Sequence, residues 1–217
     1  MNSKLLFNKL EEIGRIQLSE NFFLREFLTS EIAIAYNLVN IPKDLDLAIE
    51  AGTNLCEHIL EPLQLVWGRI HIRSAYRSEQ VNHIGNLNKH NCASNFTNHG
   101  AHIWDVRDSK GYLGASACIV IPKYLSYFRE SEDWVSLAWW IHHNIPDYTD
   151  MCFFKHNCAF NVRWSENPVK QQKIKSFIIN KDTGDKSQLV NKGISHNFYT
   201  HIDAIDRYKN CMHLLKH

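Results

Sequence analysis

The sequence predicts an α+β domain: helices come first, a small, mainly antiparallel sheet follows, and one tryptophan-rich helix packs on that sheet. Three observations lead there. Apolar residues recur at helical spacing over residues 4–17 and 43–66. Short alternating or apolar runs at 69–74, 102–106, 115–121 and 159–164 have strand character. Trp134, Trp139 and Trp140 mark a helix over 132–143 that lies among those runs.

Taken in order, residues 4–17 form an amphipathic helix with charges throughout. Asn21-Phe22-Phe23-Leu24-Arg25-Glu26-Phe27 leads into Thr29-Ser30-Glu31-Ile32-Ala33, where Thr29 or Ser30 caps a short helix. Pro42 opens the helix 43–66, with apolar positions at Leu45, Leu47, Ile49, Leu55, Ile59, Leu63 and Val66. Pro62 lacks a backbone N–H and is expected to kink or end that helix near Leu60. Gly68 breaks the pattern before the strand 69–74. Residues 78–99 are polar and rich in Asn and His, and read as a long loop with a short helix at its start; loops of this length in compact domains are often functional. The strand 102–106 is followed by a turn at Asp108-Ser109-Lys110-Gly111, and the strand 115–121 is ended by Pro122. Beyond the third strand, 159–164, the tail holds a hairpin around Asp182-Thr183-Gly184-Asp185 and a weak C-terminal helix. All 217 residues are read as one domain, with a core of about 20–165 and a C-terminal extension over 166–217.

Composition narrows the class. Hydrophobic residues make up 44% and charged residues 22%, which is ordinary for a globular chain. With 24 basic and 23 acidic residues the formal charge is +1, so the electrostatic footprint of a nucleic-acid binder is missing. No stretch approaches 18 apolar residues, and no membrane partner is expected. The opening MNSKLLFNKLEEIGRIQL lacks the uninterrupted apolar core of a signal peptide, which makes the cytoplasm the expected compartment. Six cysteines stand at 56, 92, 118, 152, 158 and 211 with no CxxC pair; free, mostly buried thiols are the favoured reading.

The chemistry centres on Ser74-Ala75-Tyr76-Arg77-Ser78, at the end of a strand. An arginine there is a fork for a carboxylate, because its guanidinium binds one bidentately, although a surface or capping arginine fits these five residues as well. The segment resembles the S-G-Y-R-S motif of the M15 peptidase family, the zinc D-Ala-D-Ala carboxypeptidases and dipeptidases that share the Hedgehog/DD-peptidase fold. The resemblance extends to Asn21–Phe27, similar to an early hF-x-h-x-E-F stretch (h being apolar), to Leu60-Glu61-Pro62-Leu63, and to Val81-Asn82 with Gly85. It implies that Ser74, Tyr76 and Arg77 bind substrate, with Arg77 orienting it.

The same resemblance implies a zinc site, with iron or no metal as alternatives. The family supplies ligands from S-x-H-x-x-G-x-A-x-D and from a later strand carrying a histidine, with a glutamate three residues before it. Here Asp105 fits the aspartate position. Counting back seven residues reaches Asn98, and His99 stands one residue off the register. By period two His99, Ala101, Ile103 and Asp105 share one strand face, and His102 points the other way as a packed or hydrogen-bonded core histidine. Asn161 occupies the place of the third ligand and Cys158 that of the general base; His201-Ile202-Asp203 offers another His-x-Asp pair. His143 and His156 are read as ordinary packed histidines first, although Cys158, His156, His99 and Asp105 together would suit a rewired transition-metal site. Three functions follow as expectations. The first is a divergent M15-like protein with an incomplete zinc site that binds a small peptide-like carboxylate ligand. The second is an active metal-dependent peptidase or amidase, and the third a repurposed metalloenzyme with a non-peptide substrate.

Overall fold

The computed structural model describes residues 3–169, 171–179, 184, 186–191 and 194–195. In chain order these residues form α1 (Ser3–Gly14), α2 (Leu24–Leu28), α3 (Glu31–Ala35), α4 (Leu45–Leu55), α5 (Glu61–Trp67), β1 (His71–Ser74), α6 (Glu79–Leu87), α7 (Asn95–Asn98), β2 (Gly114–Val120), α8 (Pro122–Ser131), α9 (Val135–Asn144), β3 (Asp150–Phe153), β4 (Phe160–Ser165), β5 (Lys173–Ile179), β6 (Lys186–Asn191) and β7 (Ile194–Ser195). The strands are hydrogen-bonded in the order β1-β2-β4-β3-β5-β6-β7. The sheet is mostly antiparallel, with β3 and β5 a parallel pair, so the α+β expectation holds at that level. Among the described residues no helix is long and apolar enough to cross a membrane.

Several helix limits follow from single residues. Ser30 accepts from the Ala33 amide and Asp44 from the Leu47 amide, each satisfying a donor that a helix start leaves open. The expected helix over 43–66 is two α-helices joined by a π-helical turn, Cys56–Leu60. Pro62, in the first turn of α5, has no N–H to return to the carbonyl four residues earlier, and the backbone widens there instead of stopping.

Contacts divide the chain into two compact units. The first comprises residues 1–57, 74–117 and 163–167, and the second the remainder. In the first, Trp104 is the centre of an aromatic cluster, with ring centroids 5.4 Å from Phe27 and 6.0 Å from Tyr76. Gly52 makes room for that indole, since a Cβ there would stand 2.9 Å from its ring. In the second, Trp67 meets Trp140 and Tyr124 edge-on at 5.2 and 5.6 Å, and Phe153 stacks on Phe160 at 4.7 Å.

Two expectations need correction, and two observations add to the reading. Residues 102–106 are not a strand: Gly100, at φ 61°, starts a tight reversal in which its amide donates to the Ile103 and Val106 carbonyls. His102, Ile103, Trp104 and Asp105 are all buried inside that loop, with no alternation of faces. The polar stretch 78–99 is mostly helical, because α6 buries Val81, Asn82 and Gly85, two of which carry no apolar signal. The run of β2 ends just before Pro122, as expected, and Pro122 also sits in the first turn of α8, where its missing N–H costs nothing. β3 had no counterpart in the sequence reading. The expected hairpin near 182–185 is supported by the antiparallel pairing of β5 with β6. Its turn lies largely outside the described residues, as do the C-terminal helix and His201-Ile202-Asp203.

Candidate ligand site

The residues after β1 run in an extended segment that is gripped on both sides. The Tyr76 amide donates to the Phe27 carbonyl at 3.1 Å and the Arg77 amide to the His102 carbonyl at 2.8 Å. Asn40 acts as a clamp: its Nδ2 donates to the carbonyls of Leu28 and Tyr76, both at 2.9 Å, and its Oδ1 accepts from the Ser78 amide at 2.7 Å. His102 Nδ1 donates to the Ala75 carbonyl at 2.7 Å. Burial drives the His102 pKa down to about 3, with the Arg77 charge adding to the shift, so the ring is neutral with its proton on Nδ1. His102 is thus a packed, hydrogen-bonded core histidine as expected, placed there by the reversal at Gly100 and not by strand alternation.

Ser78 then caps α6, its Oγ accepting from the Val81 amide, and Glu79 follows in the first turn. Glu79 joins a charged chain. Its Oε2 accepts from Lys43 Nζ at 2.9 Å and its Oε1 faces His99 Nε2 at 3.2 Å. The Lys43 ammonium holds the Glu79 carboxyl below the usual range, with His99 adding to the effect. The backbone amide of the same lysine donates to Asp105 Oδ2 at 2.8 Å. Burial first, then the Asp105 carboxylate, raises the Tyr76 phenol far above its ordinary value. The phenol and the carboxylate are near enough to interact, although neither Tyr76 Oη nor Asp105 Oδ1, both buried, has a partner of hydrogen-bond geometry among the described residues.

Of the two candidates for the first ligand position, His99 reaches this charged chain. Asn98 is turned into the loop, donating to Asn82 Oδ1 at 2.9 Å and to the Ala93 carbonyl at 3.2 Å. Asn82 in turn bonds Asn95, and Asn95 bonds the Glu79 carbonyl. Arg77 is buried, with Nη1 donating to Cys92 Sγ. Ser74 is half-buried at the end of β1.

The two remaining candidates belong to the second unit. Cys158 is buried at the end of the 3₁₀ turn His156–Cys158, where Asn157 and Cys158 both have positive φ. Asn161 is half-buried on β4. His156 is exposed, and His143, also exposed, stacks on Trp139. The five described cysteines are buried and form no disulfide among the described residues, and burial pushes the Cys152 thiol up to about 11.

A zinc ion needs three protein donors converging on one point. Among the described residues no group of three His, Cys, Asp or Glu side chains could hold a metal ion. Within the first unit, His99 and Asp105 are already engaged with Glu79 and with the Lys43 amide. The described donors therefore do not fit the zinc that the M15 resemblance implies. Reading the sequence alone missed Lys43, Glu79, Asn40 and Cys92. Only Glu79 left a trace there, as the acid in the first turn after a serine cap.

No family model, no curated protein and no solved structure matches this chain.

Proposed function

We propose that this chain is a divergent M15-like protein of Hedgehog/DD-peptidase type that binds a small, carboxylate-bearing, peptide-like ligand through Arg77, with an incomplete zinc centre. The observation that carries the reading is the grip on Ala75–Ser78. Hydrogen bonds from Phe27, Asn40 and His102 fix the backbone from which Arg77 departs. Rigidity of that kind lowers the ordering cost of binding. The engagement of His99 by Glu79 and of Asp105 by Lys43 supports the second half of the reading.

A titration with N-acetyl-D-alanyl-D-alanine and with its C-terminal amide tests it. Binding of the acid and not the amide, weakened about 10- to 100-fold in Arg77→Ala and unchanged by a chelator wash, is the expected result. Equal binding of acid and amide would defeat the carboxylate assignment.

The rival reading, a metal-dependent peptidase or amidase or a repurposed metalloenzyme, draws on one observation. Asp105 Oδ1 is buried without a hydrogen-bond partner among the described residues, the kind of acceptor a cation satisfies. Elemental analysis decides between them: about one metal ion per chain, lost in Asp105→Ala, would overturn the incomplete-site reading.

A further inference from the structure

We infer that Cys92 is a positioning residue for Arg77: its thiol, seated against Gly85, sets the plane of the guanidinium. The inference rests on the ligand reading above only for what Arg77 receives. A thiol has one weak donor and a weak acceptor, and both are used here. Cys92 Sγ donates to the His90 carbonyl at 3.5 Å, which turns its proton away and leaves its lone pairs to accept from Arg77 Nη1. Arg77 is 8% exposed and Cys92 9%, so the contact is largely shielded from water.

The thiol is held in place from three directions. Asn86 Nδ2 donates to the Cys92 carbonyl at 2.8 Å. Lys89 and Asn91, at φ 59° and 55°, curl the chain back over the end of α6, and the His90 amide closes that curl on the Gly85 carbonyl at 2.8 Å. Gly85 itself forms the seat: a Cβ there would stand 2.7 Å from Sγ and 2.7 Å from Ile32 Cδ1. Any side chain at position 85 would push the thiol off Arg77. A carboxylate is received by two parallel N–H groups, so fixing the plane of the fork fixes the direction of approach. Side chains with a donor and an acceptor on one small atom, Cys or Ser, fit the place; Ala does not.

The test compares Cys92→Ala and Cys92→Ser in the full chain by two measurements. In ligand-free protein, 15N-edited spectra read rotation of the Arg77 guanidinium, which a hydrogen bond to Nη1 slows. Separate Nη signals are expected for the parent and the serine variant, and an averaged signal for the alanine variant. In titrations with N-acetyl-D-alanyl-D-alanine, Cys92→Ala is expected to weaken binding about 10-fold, and Cys92→Ser to restore it to within about threefold. An averaged Arg77 signal in the parent, or an alanine variant indistinguishable from it in the spectra, would overturn the inference. Slowed rotation that depends on Cys92, in a parent that binds no dipeptide, would sustain the positioning role and remove the ligand reading instead.

Discussion

The polar segment around Ala75–Ser78 and the aromatic cluster around Trp67 and Trp140 are both buried, and they are held by opposite means. The first is fixed by directional hydrogen bonds: Asn40 donates to the Tyr76 carbonyl and accepts from the Ser78 amide, His102 donates to the Ala75 carbonyl, and Asn82 and Asn98 tie down the loop that follows. The second is fixed by ring faces and edges, with the indole Nε1 atoms of Trp67, Trp139 and Trp140 buried without a hydrogen-bond partner among the described residues. Aromatic packing is nondirectional enough to tolerate that loss, because the area it removes from water outweighs one unmade bond. Hydrogen bonds transmit position instead. A side chain that must point in one direction, such as Arg77, is therefore found on the bonded segment.

Four substitutions or titrations bear on this contrast, from the largest effect to the smallest. Trp140→Ala removes a ring in contact with Trp67 and should cost about 3–5 kcal/mol, read as a lower midpoint in urea. A loss below about 1 kcal/mol would mean that the aromatic cluster is not what holds the second unit.

Acid should act on the bonded segment through His102. Its folded pKa, about 3, lies below the ordinary 6.5, so between those values the unfolded chain binds a proton that the folded chain refuses. Stability contributed by the neutral ring is present above pH 6.5 and is lost as the pH falls from there towards 3, by at most about 1.4 kcal/mol per pH unit. His102→Asn keeps a donor for the Ala75 carbonyl and removes the titration. Unfolding measured at pH 7 and pH 5 should show a shallower fall in that variant, and equal falls would exclude His102 as the source.

Asn98→Ala leaves the Asn82 side-chain oxygen and the Ala93 carbonyl each short of one donor. It should cost about 1–3 kcal/mol. Amide exchange over residues 88–98 should accelerate more than over β2, and uniform acceleration would show that the asparagines serve the whole unit. Lys43→Met should matter least. Its ammonium is exposed and its pairing with Glu79 is screened by solvent, so thermal melts of parent and variant should nearly coincide.

How far the sequence could be read differs between the same two regions. The helix start at Ser30, the disturbance at Pro62 and the strand near 115–121 are local events, and each was legible from its own residues, whereas the cap at Asp44 was passed over for Pro42. The run 102–106 misled because its alternation is that of a strand, while Gly100 at φ 61° had already turned the chain back. A short helix was expected at the start of 78–99, but the full length of α6 was not legible, because Asn82 is buried for its hydrogen bonds and Gly85 for the thiol beside it; neither reason leaves a hydropathy signal. Within the site, Ser74, Tyr76, Arg77, His99 and Asp105 were legible as chemistry-bearing residues, but their partners were not.

The amino-acid order by itself determined the α+β character, the segment that carries Arg77, and the absence of a charge bias towards nucleic acid. It did so because periodicity, capping and net charge depend on neighbours a few residues apart or on none. Only the tertiary structure decided that His99 meets Glu79 twenty positions away, that Lys43 reaches Asp105 across sixty-two, and that Cys92 lies on Arg77 across fifteen. Contacts at such separations follow from how the elements pack, and a one-residue shift in a loop such as 88–94 would change every one of their partners.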